Sequence, residues 1–420
     1  MPDPDVSGGP SRIAPDGRLL LLGASARALA ASAARSREAT RLFPRGLLAI
    51  DYFGDTDLAG AAPTSFEVTV VSVHRDLGLP RTTASLGRAA LASAWSSLAY
   101  AGGIENRPGL VRLLARRSDG AETLPRVLGN DAKALAAVRD PRRLFPLLHA
   151  IGLPHAAVRF GDALADGWDA DAWLVKTRRS AGGAGVRAPI EGAVLPPGRF
   201  LQERLRGPVG SACFVADGRQ AVLLGVSEQI SGWEALGARE FRYAGNIAGP
   251  SDAFLSSEAL DLVAATARRV TERFGLRGLN GLDYVVHRGV PRLIEVNPRW
   301  TASMELIEER TGRNLFDRHL RASEGAGVAT HDAWEAREGN ARPALGRFLA
   351  KGILYATETC VAPDPRALEA LGARDRPHLG ERIESGEPIC TLIVEGDDAD
   401  DCRSRLEKKA ALARARLAPA

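Results

Sequence analysis

The chain reads as a mixed α/β and α+β fold in three parts, residues 1–125, 126–320 and 321–420. Three observations predict this. A length of 420 residues exceeds the ~250–300 at which a single core stops growing. Short apolar runs alternate with an Ala-rich helical stretch near the N-terminus, the opening of a parallel sheet. Further on, strand patterns come in pairs joined by Gly-containing turns.

The N-terminal elements follow in order. Residues 18–22 are an apolar run that meets Gly23-Ala24-Ser25, and residues 26–37 are helical in pattern. A second run, 46–50, ends in Asp51-Tyr52-Phe53-Gly54-Asp55. Strands are predicted at 66–73 and 97–100, the latter running into Gly103-Ile104-Glu105-Asn106. The dinucleotide fingerprint G-x-G-x-x-G is missing, since only Gly23 is present; a tight turn at Gly23 and a strand end at Asp51 are the plainer reading. Ligands of open α/β sheets sit at the carboxyl ends of the strands. Asp51, Asp55, Glu105 and Asn106 lie there, either lining a substrate cleft or as solvated loop residues.

Composition removes several functional classes. Lys plus Arg number 55 against 51 acidic residues, a net charge of +4, which signals neither a nucleic-acid nor a membrane partner. No apolar run approaches the ~20 residues of a membrane span. Residues 1–15 are rich in Pro, Gly and Asp and lack an apolar signal core, so a cytoplasmic protein is expected. Cys213, Cys360, Cys390 and Cys402 are scattered and read as reduced thiols. Only five basic residues are lysines, Lys133, Lys176, Lys351, Lys408 and Lys409. A lysine kept where Arg is the default is a functional candidate.

The central part carries the chemistry. A strand pattern delivers Lys176, and a Gly-rich loop follows, from Ser180 through Gly182, Gly183 and Gly185. Glycines let backbone N–H groups approach phosphate oxygens, and the lysine adds a point charge. Taken alone, such a loop is also an ordinary flexible hairpin. Next comes Gln202-Glu203-Arg204-Leu205, a strand end whose backbone suits an adenine edge. The third motif is a hairpin, residues 279–287 and 291–297, around a three-residue loop at 288–290. That register puts His287 opposite Pro291 and Asp283 opposite Glu295; a two-residue loop would put Asp283 opposite Ile294 and break the site. Glu295 and Asn297 share a face, and two opposed carboxylates repel unless a cation lies between them. Oxygen donors suit Mg²⁺. Arg299, two residues on, is placed to stabilise a transferring phosphoryl group. The alternative is a hairpin with a surface acidic pair.

Lys-x5-Gly-Gly-x-Gly, Gln-Glu-x-Leu and Asp-x11-Glu-x-Asn-Pro-Arg, in this order, resemble the ATP-grasp superfamily, which includes biotin carboxylase, D-Ala–D-Ala ligase and the large subunit of carbamoyl phosphate synthetase. The resemblance implies an ATP-grasp fold with a Rossmann-like N-terminal domain and a small β-rich C-terminal module. It implies that Lys176 and the loop Ser180, Gly182, Gly183 and Gly185 bind ATP phosphates, that Glu203 and Leu205 hold the adenine, and that Asp283, Glu295 and Asn297 hold Mg²⁺, with Mn²⁺ as a substitute. Arg299 would act on an acyl-phosphate transition state. The family's earlier basic residue has no clean match; its position falls near Pro141, leaving Arg139 or Arg142, with Lys133 behind them. Leu22-Gly23-Ala24-Ser25, Asp51-Tyr52-Phe53-Gly54-Asp55 and Gly103-Ile104-Glu105-Asn106 are similar to a branch of predicted carboligases from methanogens and methylotrophs, related to tyramine–glutamate ligase.

The C-terminal part is predicted as a helix and linker at 321–342, strands at 347–355 and 388–394, and a charged helix within 397–416 that exposes Lys408 and Lys409. Lys351 either points to substrate or pairs. Ser227-Glu228-Gln229 is a candidate to face the cleft, and residues 239–243 a candidate carboxylate site. The expected activity is ligation of a small-molecule carboxylate to an amine with ATP, glutamate being a plausible substrate; the chain is compatible with homo-oligomers. The alternatives are a biotin-carboxylase-like component and a non-catalytic ATP-binding subunit.

Overall fold

A computed structural model of the protein describes residues 17–58, 60, 66–116, 125–161, 169–190, 195–325, 327–328 and 348–419. The N-terminal residues 1–15 and most of the expected linker at 321–342 lie outside the described residues.

The first sheet is parallel throughout, in the order Val68–Ser72, Leu47–Asp51, Leu19–Leu22, Ser97–Tyr100, Arg126–Val127. Its central strand, Leu19–Leu22, is wholly buried because helices cover both faces, which is why it reads as four leucines with no alternation. The predicted helix at 26–37 divides in two. Arg27–Ala34 ends at Arg35, and Ser36 caps a second helix, Arg37–Leu42, by accepting from the Ala39 N–H. Strand order reverses between Leu19–Leu22 and Ser97–Tyr100, and the turns after both strands meet where Ala24 N–H bonds the Gly102 carbonyl at 2.9 Å. Such a switch point is where this architecture opens a crevice.

The second sheet has eight antiparallel strands. Val290–Asn297, Arg277–His287, Val209–Asp217, Ala221–Ser231 and Tyr243–Ala248 come from the central part. Phe348–Tyr355, Pro388–Gly396 and Ala373–Arg374 continue the same sheet. Helix Ser257–Phe274, capped by Ser256 and closed by Gly275, packs its apolar stripe on this sheet. A small third sheet, Val158–Arg159, Arg199–Glu203 and Trp173–Thr177, faces the large one. Helix Ala399–Arg414 covers the C-terminal strands; Lys408 is exposed as expected, but Lys409 turns in and donates to the Ile393 carbonyl at 2.7 Å.

A buried ion network ties distant segments together. Glu305 pairs with Arg27, with Lys351 at 2.7 Å and with Arg374 at 2.8 Å. Arg27 also reaches Asp375 at 3.0 Å. Lys351 therefore pairs rather than pointing to a substrate. All four cysteines are free and buried. Among the described residues no helix is long and apolar enough to cross a membrane.

Candidate active site

The hairpin departs from its predicted register in an instructive way. Its loop has two residues, Arg288 and Gly289, both at positive φ (51° and 79°), as a tight type I′ turn requires. His287 therefore faces Val290, not Pro291. A two-residue loop ought to set Asp283 against Ile294. Instead the register slips by one between Asp283 and Tyr284, and Asp283 faces Glu295 after all. The extra residue is Ile294, a β-bulge that leaves backbone groups outside the ladder. Gln202 takes up the freed Ile294 carbonyl through Nε2 at 3.0 Å, while its Oε1 accepts from Lys176 Nζ at 3.0 Å.

Asp283, Glu295 and Asn297 thus converge between the small and large sheets. Asp283 accepts from Ser211 Oγ and from Asn297 Nδ2, each at 2.7 Å. Burial, then the neighbouring Glu295 charge, push the Asp283 carboxyl above its ordinary value. Burial acts the same way on Glu295, but Arg139 and Lys176 outweigh it and hold that carboxyl low. Burial pulls the Lys176 ammonium down, with Glu295 opposing. Among the described residues no three His, Cys, Asp or Glu side chains cluster to hold a metal. Two neighbouring carboxylates with the Asn297 amide beside them fit a hard divalent cation that takes its remaining oxygens from elsewhere, such as phosphates.

A cavity of about 500 Å³ contains this set. Lys176, Ser180, Gly182, Gly183, Glu203, Leu205 and Arg299 also line it. Gly185, at φ +81°, is not among the residues that line it. The glycine loop rests on the large sheet, its Gly182 carbonyl accepting from Tyr243 N–H at 3.1 Å. Glu203 has its carboxylate occupied by Ala157 N–H at 3.0 Å and by Arg292 at 3.4 Å.

Of the basic candidates, the structure brings Arg139 to the site. It pairs with Glu295 and donates to Asn106 Oδ1 at 3.0 Å and to the Ser180 carbonyl at 3.1 Å. Arg142 is exposed, with its guanidinium over the Phe160 ring at 5.2 Å; neither it nor Arg139 lines the 500 Å³ cavity itself. Lys133 is exposed on the same stretch.

Arg299 stands at the N-terminal switch point. Its Nε donates to Glu105 Oε1 at 2.7 Å and its Nη1 to the Trp300 carbonyl at 2.9 Å. Glu105 is fully buried and Asn106 nearly so, which removes the solvated-loop reading for both. Asp51 is also buried, accepting from the N–H groups of Ala26, Phe53 and Gly54. It organises its own loop. Ser227 bonds Asn246 and Glu228 pairs with Arg403, whereas Gln229 does line the cavity. Gln202 stands in the Gln-Glu-x-Leu motif without a role of its own there, and Ser211 has no sequence signal.

Facing sheets that clasp a cavity floored by lysine and carboxylates define a class, and the chain carries the domain of that class. Residues 158–303 match the family model of the ATP-grasp domain. The chain is 30% identical over 125 residues to an uncharacterized protein of Methanocaldococcus jannaschii, a match covering 30% of this chain and 28% of that one, well under two thirds of its length. Among solved structures it resembles the biotin carboxylase domain of Hydrogenobacter thermophilus 2-oxoglutarate carboxylase, determined with MgADP and bicarbonate (TM-score 0.63, 15% identity, 93% of this chain and 88% of that one). It also resembles the L-amino acid ligase of Bacillus licheniformis (TM-score 0.61, 14% identity, 96% and 98%). At these identities the likeness establishes the fold.

Proposed function

We propose that the protein is an ATP-dependent carboxylate–amine ligase working through an acyl phosphate. One observation carries this reading: Lys176, the glycine loop, the Asp283–Glu295–Asn297 set and Arg299 all border a single cavity. Lys176 and Arg139 would bind phosphate oxygens, the loop of Ser180, Gly182, Gly183 and Gly185 would cover them, and the segment of Glu203 and Leu205 would hold the adenine. Asp283, Glu295 and Asn297 would hold Mg²⁺, which when bound neutralises phosphate charge. Arg299, held rigid by Glu105, is aimed to stabilise the charge of the phosphoryl group as it moves to the carboxylate. The pre-positioned donors do most of the work, because phosphoryl transfer asks chiefly for alignment and charge stabilisation.

For the substrates we propose an amino acid such as glutamate on one side of the bond, within the assembly of a one-carbon coenzyme. The resemblance to an amino acid ligase in fold supports an amino acid, and the similarity of the Asp51–Asp55 and Gly103–Asn106 segments to carboligases of one-carbon organisms supports the setting. ADP release with paired carboxylates and amines tests the proposal. Glu295→Gln should abolish that release; turnover persisting in this variant would refute it. Release that depends on bicarbonate alone would point to the carboxylase reading, which the likeness to a biotin carboxylase domain favours.

A further inference from the structure

A second cavity, about 220 Å³, lies beside the first. That is many times the ~10–15 Å³ needed for one water. The two share a wall: Tyr243 borders the first and Arg242 the second, and Tyr355 Oη, in the second, donates to the Tyr243 carbonyl at 2.8 Å. Its sides come from three parts of the chain: Phe53 and Asp55 after the second parallel strand, Arg242 just before the strand Tyr243–Ala248, and Tyr355 and Ile389 from the C-terminal strands.

The charges in this cavity are unevenly satisfied. Arg81 is neutralised by Glu381 at 3.1 Å and Glu387 at 2.6 Å. Asp375 is paired with Arg27, and the neighbouring Asp57 accepts from the N–H groups of Asp375 and Arg376. Two groups are left. Asp55 is only 8% exposed and borders the cavity, yet among the described residues its carboxylate has neither a hydrogen-bond nor an ion-pair partner. Arg242 lies over the Tyr355 ring at 3.9 Å and has no carboxylate partner among the described residues. A buried carboxylate without a donor is costly: burial, then Asp375, Asp51 and Asp57, push the Asp55 carboxyl well up, with Arg27 opposing, and a cation in the cavity would favour its charged form. Asp55 and Arg242 are not an ion pair with each other. Both border one cavity, an acid with no donor and a guanidinium with no carboxylate, and part of the remaining wall, Phe53, Ile353 and Ile389, is apolar.

The geometry points to a site for a small zwitterionic amino acid, its ammonium on Asp55 and its carboxylate on Arg242, with the side chain against the apolar wall. An amine alone would leave Arg242 unmatched, and a carboxylic acid alone would leave Asp55 so. The inference rests on the ligase reading above, in which an amino acid is a substrate.

Binding separates the two. Each common L-amino acid is titrated calorimetrically into the intact chain with Mg²⁺ and a non-hydrolysable ATP analogue. At least one should bind. For that amino acid, Asp55→Asn and Arg242→Gln should each weaken binding about tenfold or more, the scale of a charge-assisted contact, with affinity for the ATP analogue unchanged. In the unaltered chain the matching acid without its amino group, and the matching amine without its carboxylate, should bind about tenfold more weakly as well, a result independent of how the variants fold. Binding of no amino acid, equal binding by the Asn variant, or equal binding of the desamino acid would each overturn the site. Glu295→Gln leaves this cavity untouched, so wild-type turnover in that variant would sink the ligase reading while amino acid binding at Asp55 stood.

Discussion

Glu105 holds Arg299 by a 2.7 Å bond from a position with no solvent exposure at all. The carboxylate sits on the short helical turn Ile104–Asn106 after the parallel strand Ser97–Tyr100 and the guanidinium at the hairpin end, so the N-terminal part aims a residue of the central site. Glu105→Gln keeps the shape and loses the charge. Turnover should fall by about 10²-fold, the usual result of slight misplacement of a catalytic group, with the KM for ATP little changed. Steady-state kinetics with the identified substrates decides; a raised KM at unchanged kcat would assign Glu105 to nucleotide binding instead.

The glycine loop offers a paired test. Gly183 is at φ +78°, and a Cβ there would lie 1.9 Å from the Phe241 carbonyl oxygen. Gly182 is at φ +62° with nothing within 4 Å of a Cβ. Both alanine variants carry backbone strain of about 1–3 kcal/mol, but only Gly183→Ala must lift the loop off the sheet. Its KM for ATP should rise clearly more than that of Gly182→Ala. Equal effects would show that seating the loop does not matter.

Glu305 is surrounded by Arg27, Lys351 and Arg374. Glu305→Ala leaves these cations buried or half-buried without their anion, and the loss should be about 3–5 kcal/mol. Urea unfolding of the intact chain measures it. A loss below about 1 kcal/mol would mean that solvent reaches the network and screens it.

His319 supplies a pH dependence. Its Nδ1 accepts from Leu279 N–H at 3.0 Å, so Nε2 carries the hydrogen and donates to the Leu128 carbonyl at 3.2 Å. Burial is the main cause that pushes the imidazole down to about 4. The unfolded ring takes a proton near 6.5, the folded one only near 4. The stabilisation is therefore complete above about 6.5 and lost as pH falls towards 4, in all about 3 kcal/mol. His319→Leu should flatten that part of the stability profile, at a lower overall level. An unchanged slope between these pH values would rule His319 out as its source.

Much of this was readable from residue order. Leu19–Leu22 is an unbroken apolar run bounded by turns, and Leu98–Tyr100 after Ser97 nearly repeats it; buried parallel strands leave that trace. The convergence of Asp283 with Glu295 was also readable, although the reason given for it was not. A three-residue loop and a two-residue loop with a bulge give the same pairing, and nothing in the letters Leu293-Ile294-Glu295 marks the bulge. Arg139 ends the helix Ala132–Val138 and Arg142 opens the helix Pro141–Ala150, and nothing in the letters shows which of the two faces Glu295. Glu105 and Asn106 stayed open for a different reason: their partners, Arg299 and Ser180, are far away in sequence. Nor did any local pattern show that Asp55 and Arg242 border one cavity.

The junction of Tyr243–Ala248 with Phe348–Tyr355 has a consequence for how the molecule is made. While the chain emerges from the ribosome, the central sheet carries a bare edge until the later strand arrives, roughly 5–20 s at ordinary synthesis rates. During that interval its free N–H and C=O groups are a template for any other strand nearby. A fragment cut at the ends of the matched segment, 158–303, would keep that edge permanently. It should self-associate through it, and the stretch most easily recognised in the sequence would then be among the hardest to obtain as a soluble piece.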